Sequence, residues 1–170
     1  MSLRFGILTV SDRSFQGERA DASGPMLESR LAELGWQVRR KAILPDELSG
    51  LRDLLIEWAD SSELDIILTT GGTGFAPRDV TPEATLAVIE RSAPGLGEAM
   101  RAESLRITSH AMLSRAIAGI RRRTLIVNLP GSPKAAVENL DVIAPVLPHA
   151  VQLLREEPDA ERGHHQPREV

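Results

Sequence analysis

Four short apolar runs punctuate the chain, and the segments between them carry apolar residues at helical spacing. FGILTV (5–10), DIILTT (65–70) and TLIVNL (124–129) are continuous runs, the pattern of strands buried on both faces. WQVRRKAIL (36–44) is interrupted by polar residues and reads as a more exposed strand. A helix is predicted from about Ser23, with Pro25 in its first turn, Leu27, Leu31 and Leu34 on one face and Gly35 at its stop. Leu48, Leu51, Leu54, Leu55 and Trp58 mark a second helix. Thr81–Pro82–Glu83 gives a third start: hydroxyl cap, proline in the first turn, and an acid suited to the helix dipole. Residues 94–119 are expected to hold one or two further helices. Ser132–Pro133 repeats the cap-and-proline signal, and a last helix spans roughly 141–156, with Pro145 and Pro148 weakening its first half. Residues 158–170 are polar, contain proline and read as a mobile tail, which leaves 1–157 as a single domain.

Strands alternating with helices imply an α/β fold, a mostly parallel sheet with helices on both faces. Such sheets bind ligands beyond the carboxyl ends of their strands. Here the ends read Thr9–Val10–Ser11–Asp12, Leu44–Pro45–Asp46–Glu47, Thr69 to Gly74, and Asn128–Leu129–Pro130–Gly131–Ser132. All four are rich in hydroxyls, carboxylates, amides or glycines, and in a parallel sheet they share one edge. They are expected to converge on one cleft.

Composition narrows the partners. A chain of 170 residues suits one compact domain, and 42% hydrophobic with 26% charged residues is ordinary for a globular protein. A net charge of −4 argues against general nucleic-acid binding. The cluster Arg121–Arg122–Arg123 reads as a solvated turn, and scarce aromatics offer no base-stacking platform. No apolar run has the length of a membrane span, and the N-terminus lacks the long apolar core of a secretory signal, so a cytoplasmic location is expected. With no cysteine there is no disulfide, thiolate metal site or thiol nucleophile.

The sharpest candidate is TTGGTGFAPRD (69–79). It lacks the lysine of a phosphate loop and does not fit Gly–x–Gly–x–x–Gly. Gly71, Gly72 and Gly74 permit positive φ and expose amides, while Thr70 and Thr73 add hydroxyls, a composition suited to an anion-binding nest or, more plainly, to a tight turn. Asp46 and Asp79 each follow a strand on the binding edge. Asp46 could cap the next helix and Asp79 could make a side-chain turn. Together, beside a glycine nest, they suit Mg²⁺ shared with substrate phosphates. Lys134, in the first turn after Ser132, could add positive charge at a helix N-terminus or be a plain surface lysine. Arg78 and Arg115 are weaker candidates for phosphate clamping. His110 and His149 fall on expected helices and His164 and His165 in the tail. No Gly–x–Ser–x–Gly elbow supports a serine hydrolase.

TTGGTGFAPRDVTPEA, with ILPDE upstream and NLPGSPKA downstream, resembles the molybdopterin adenylyltransferase family of MogA, MoaB and the gephyrin G domains. VSDR, PGLGEAMR and LSRAIAGIR add to the resemblance, which covers about residues 3 to 155. It implies a three-layer α/β/α sandwich, usually trimeric, with hexamers in the MoaB branch. It implies transfer of AMP from Mg-ATP to the terminal phosphate of molybdopterin, releasing pyrophosphate, ahead of a molybdenum-insertion protein. The alternative is a non-catalytic molybdopterin-binding scaffold of the same fold. By resemblance Asp46 and Asp79 are the catalytic aspartates, and the pair is expected to organise Mg²⁺ and the ATP phosphates, with either or both as the metal ligand. Ser11, Asp12, Thr70, Gly71, Gly72, Thr73, Gly74 and Ser114 would bind the substrates with Asn128, Pro130, Gly131, Ser132 and Lys134.

Overall fold

The computed structural model describes residues 2–158 and Ala160. The tail expected from 158 onward falls almost wholly outside these residues, as do His164 and His165. Along the chain run β1 (Arg4–Val10), α1 (Asp12–Phe15), α2 (Ser23–Glu33), β2 (Gln37–Leu44), α3 (Leu48–Asp60), β3 (Ile66–Thr70) and α4 (Thr81–Leu86). There follow β4 (Arg91–Ser92), α5 (Pro94–Leu105), a 3-10 turn (Ser109–Leu113), β5 (Ala118–Arg121), β6 (Thr124–Leu129) and α6 (Pro133–Ile143). A second 3-10 turn (Ala144–Val146) leads into α7 (Leu147–Leu154).

Among the described residues six strands form one sheet in the order β2-β1-β3-β6-β5-β4. The first four in that order are parallel, and β5 and β4 extend the sheet antiparallel. The span 94–119 holds α5 and the first 3-10 turn, as expected, but its last two residues, Ala118 and Gly119, already belong to β5, and neither β5 nor its partner β4 was expected. Ala116, Ile117 and Ile120 mimic a helical repeat, but Asn128 and Thr124 to Val127 of β6 pair with this segment instead. The arginine cluster forms the hairpin turn, with Arg122 at φ 51°.

Side chains alternate across the sheet because the strand repeat is two residues. Phe5, Ile7, Ile66, Leu68, Leu125, Val127 and Leu129 face α2, α5, α6 and α7 in one core. Leu8, Val10, Ile67 and Ile126 face α3 and α4 in another, over Leu51, Leu55 and Trp58. The result is the three-layer α/β/α sandwich. Each of these fully buried aliphatic side chains contributes on the order of 2 kcal/mol. Gly6 is required by packing: a Cβ there would come 2.8 Å from the Trp58 ring. β2 is an edge strand with alternating exposure, as its interrupted pattern predicted.

Two expected hydroxyl caps are absent. Neither Thr81 nor Ser132 makes a capping side-chain bond, although proline occupies the first turn of each helix. The Thr81 hydroxyl is used elsewhere, as described next.

Candidate functional site

The strand order reverses between β1 and β3, the place where parallel sheets open a crevice at their carboxyl edge. A cleft of about 590 Å³ lies there. Its walls come from Thr9 to Ser11 at the end of β1, Asp46 after β2, Thr70 to Gly72 at the end of β3 with Asp79, and Gly131 to Pro133 at the start of α6. The convergence expected of the four strand ends is therefore present. Ser14 of α1, Arg19 and Asp21 of the loop that follows, and Ser23 at the start of α2 also border it.

The glycine arm is held from behind. Gly71 and Gly72 take positive φ, 103° and 66°. The Gly71 carbonyl accepts the Thr81 hydroxyl at 2.9 Å and the Gly72 carbonyl accepts the Thr81 amide at 3.1 Å. A side chain on Gly72 would collide with the Thr81 hydroxyl. The Thr73 carbonyl accepts the Arg115 amide at 2.8 Å, and the Arg115 guanidinium donates to the carbonyls of Gly74 and Asp79. Arg115 also pairs with Glu83. Although burial opposes it, that guanidinium keeps the Glu83 carboxyl below its ordinary range. With its carbonyls bound outward, the arm leaves the amides of Gly72, Thr73 and Gly74 without acceptors among the described residues. This is the electrostatics of an anion nest.

Gly74 differs from its neighbours. It does not take positive φ, but a Cβ there would stand 2.9 Å from the Asp79 carboxylate. The glycine lets Asp79 approach. Asp79 makes a local turn, its Oδ2 accepting the Ala76 amide at 3.0 Å, while the side chain still borders the cleft.

Asp46 does not cap α3, whose N-cap is Glu47. Its Oδ2 accepts the Asp12 amide at 3.0 Å, and Asp12 Oδ1 accepts the Asp46 amide at 3.0 Å. Burial, with the Asp12 and Asp79 carboxylates nearby, pushes the Asp46 carboxyl up, against the pull of the Asp12 amide and Arg78. Asp12 itself is pulled down by its hydrogen bonds from Arg78.

Several expected ligands have other duties. Asn128 is fully buried under α4, donating to the hydroxyls of Thr69 (3.0 Å) and Thr85 (2.9 Å) and accepting the Ile117 amide. Thr70 borders the cleft, but its hydroxyl donates to the Pro130 carbonyl at 2.7 Å, so its proton fixes the β3 and β6 ends together and is not offered to a ligand. Thr73, Gly74 and Ser114 do not border the cleft, and the Ser114 hydroxyl accepts the Ala116 amide. Lys134 turns away: its side chain is 82% exposed and pairs with Glu138 at 3.8 Å. Asp12 does not border the cleft, but frames Asp46. Ser11 does border it, and its hydroxyl accepts the Ser14 amide to cap α1, a four-residue helix hidden in what reads as loop.

Asp21 was missed by sequence reasoning. Its carboxylate accepts the Gly24 amide at 3.0 Å and the Thr9 hydroxyl at 2.8 Å, anchoring the start of α2 to β1. The available signal was an acidic residue just before the Ser23–Gly24–Pro25 helix start. Arg19, also missed, is the one basic side chain bordering the cleft among the described residues, against Asp21, Asp46 and Asp79.

That balance tests the fit of a divalent cation. A polyphosphate meets net negative charge here, so an added cation has an electrostatic reason to bind. Asp46 Oδ1 and the second Asp79 oxygen accept no hydrogen bond from the described residues. No cluster of three or more metal-ligating side chains occurs among those residues. Two hard carboxylates with substrate phosphates completing the shell match the habit of Mg²⁺.

Comparison with known proteins points the same way. The model of a family described as "Probable molybdopterin binding domain" matches residues 6–149. The Drosophila melanogaster molybdenum cofactor synthesis protein cinnamon is 46% identical over 166 residues, covering 96% of this chain. The chain spans only 28% of that protein's length. A molybdopterin adenylyltransferase of Helicobacter pylori is 41% identical over 155 residues, 90% of this chain and 88% of that one. The crystal structure of the Thermus molybdopterin biosynthesis enzyme MoaB superposes with a TM-score of 0.86 at 51% identity, covering 91% of this chain and 98% of that one. Among the described residues no helix is long and apolar enough to cross a membrane.

Proposed function

The chain belongs to the molybdopterin-binding family of molybdenum cofactor biosynthesis, and on that premise we propose that it is a molybdopterin adenylyltransferase. It transfers AMP from ATP to the terminal phosphate of molybdopterin. A phosphate oxygen forms a bond to the α-phosphorus of ATP, the α–β bridge breaks, and pyrophosphate leaves. The observation that carries this reading is the pair Asp46 and Asp79, each keeping one oxygen unclaimed at a cleft walled by the glycine arm and the α6 N-terminus.

The chemistry asks little of the protein as a base, because the attacking phosphate is already ionised. Positioning two polyanions and screening their repulsion carry most of such transfers. Asp46 and Asp79 would hold Mg²⁺, which when bound neutralises charge on the nucleotide phosphates. The amides of Gly72 and of Gly131 and Ser132, which lead into the N-terminus of α6, would receive phosphate oxygens. Arg19 adds the positive charge at the cleft that Lys134 does not supply.

The same reading places the protein in the cytoplasm with its ATP, and hands the adenylylated product to a molybdenum-insertion protein. It also has the protein assemble with its own copies as a trimer. Exposed Leu105, Ile107, Met112 and Leu113, close together at the end of α5 and the following turn, support an oligomer. Sedimentation distinguishes a trimer from a hexamer.

Incubation with Mg-ATP and molybdopterin tests the activity. Adenylyl-molybdopterin and pyrophosphate should form in equal amounts. Molybdopterin binding without turnover would assign a binding module instead.

A further inference from the structure

Asp46 and Asp79 come from different loops, and the reaction proposed above needs a fixed distance between them. Arg78 links those loops. It leaves the glycine arm next to Asp79 and crosses to the end of β1, where Nε donates to Asp12 Oδ2 at 2.5 Å and Nη2 to Asp12 Oδ1 at 2.8 Å. Asp12 in turn exchanges two backbone-to-carboxylate bonds with Asp46, each 3.0 Å. Asp12 Oδ1 thus receives both the Arg78 guanidinium and the Asp46 amide. Asp46 Oδ2 is tied to the Asp12 amide, which leaves Oδ1 directed at Gly72, 3.0 Å from where a Cβ would sit.

The path Asp79–Arg78–Asp12–Asp46 spans three strand-end loops and ends on a proposed cation ligand at either side. We propose that Arg78 is a positioning residue whose forked bond to Asp12 sets the separation of the Asp46 and Asp79 carboxylates. Its side chain is 59% exposed, so the ion pair adds little to global stability. Its effect is geometric. A guanidinium grips both carboxylate oxygens in one plane, whereas a lysine ammonium in its place is a single point charge. Pairing with Asp12 turns the Nε–Nη2 side of the guanidinium, the side that makes a bidentate grip here, toward the protein rather than toward a phosphate.

The catalytic consequence rests on the proposed AMP transfer, but the strap itself does not, and two readouts separate them. Amide hydrogen exchange is measured on the free protein for wild type, Arg78→Met and Arg78→Lys. In Arg78→Met the Asp12 and Asp46 amides should exchange about tenfold faster, with the Leu68 amide in β3 unchanged. Arg78→Lys should fall between. AMP transfer is then measured for Arg78→Met, Asp12→Asn and the double variant. Arg78→Met should lower kcat about tenfold with KM for ATP within about threefold, and the double variant should be no worse than the poorer single one. Unchanged exchange at Asp12 and Asp46 would overturn the proposal, as would multiplying losses in the double variant. Faster exchange in a protein whose wild type transfers no AMP would uphold the strap and refute the enzyme reading.

Discussion

Gly71→Ala should unfold the protein more easily than any other single added methyl on the glycine arm. At φ 103° the backbone lies beyond the ordinary left-handed well, a conformation costing an L-residue about 1–2 kcal/mol. The new Cβ would also fall inside contact distance of the Val10 carbonyl oxygen. Val10 is buried and sits in the β1–β2 register, so that oxygen yields only by disturbing the strand, an overpacking cost of about 1–3 kcal/mol. The sum is roughly 3 kcal/mol, a sizeable share of the 5–15 kcal/mol typical of a domain. Urea unfolding followed by circular dichroism reads it directly. At a slope of about 2 kcal/mol/M the midpoint should fall by about 1.5 M. Gly50→Ala is the control: that glycine is exposed in α3 with nothing within 4 Å of an added Cβ, and alanine there should raise stability by up to about 1 kcal/mol. A Gly71→Ala midpoint within about 0.3 M of wild type would refute the argument from backbone strain and collision.

Asn128→Ala should cost about 3 kcal/mol, because the hydroxyls of Thr69 and Thr85 and the Ile117 amide lose a buried partner, while KM for molybdopterin in the surviving folded protein stays near wild type. Lys134→Ala should leave AMP transfer within about twofold, since the ammonium points to Glu138 and away from the cleft. Asp65 bears on pH dependence. Burial alone would raise its carboxyl, but hydrogen bonds from Arg4 and Arg155 overcome this and hold it below the ordinary value of 3.8. A lowered folded pKa gives stability that is present above the unfolded pKa and lost as pH falls through the folded one. Asp65→Ala should therefore cost about 2 kcal/mol at pH 7, less than a fully enclosed ion pair because both guanidiniums reach water, and the gap to wild type should close in unfolding curves below about pH 4.

The three central strands β1, β3 and β6 were legible because a strand covered on both faces must be apolar throughout, and FGILTV, DIILTT and TLIVNL are nearly so. β4 and β5 were not. One has two residues, the other reads AGIR, and both owe their conformation to pairing next to β6 rather than to local pattern. The cleft was legible for a topological reason, since parallel strand ends share an edge. The direction of each polar group was hidden. Thr70, Thr81 and Asn128 carry the donors a ligand site would use, yet all three spend them on carbonyls or hydroxyls of the scaffold. Which partner a hydroxyl meets depends on packing across 10 to 60 residues of chain, and composition does not encode it. Arg78 read only as a weaker candidate for phosphate clamping until the folded chain brought it to Asp12.

A crystal of this protein soaked with ATP and Mg²⁺ puts the central claim to its most direct test. Density for the nucleotide phosphates should lie against the Gly72 amide and the first turn of α6, with the cation between Asp46 and Asp79. Phosphate density instead at the opposite edge of the sheet, in the pocket bordered by Arg4, Arg122, Arg123 and Arg155, with the strand-end cleft empty, would contradict it.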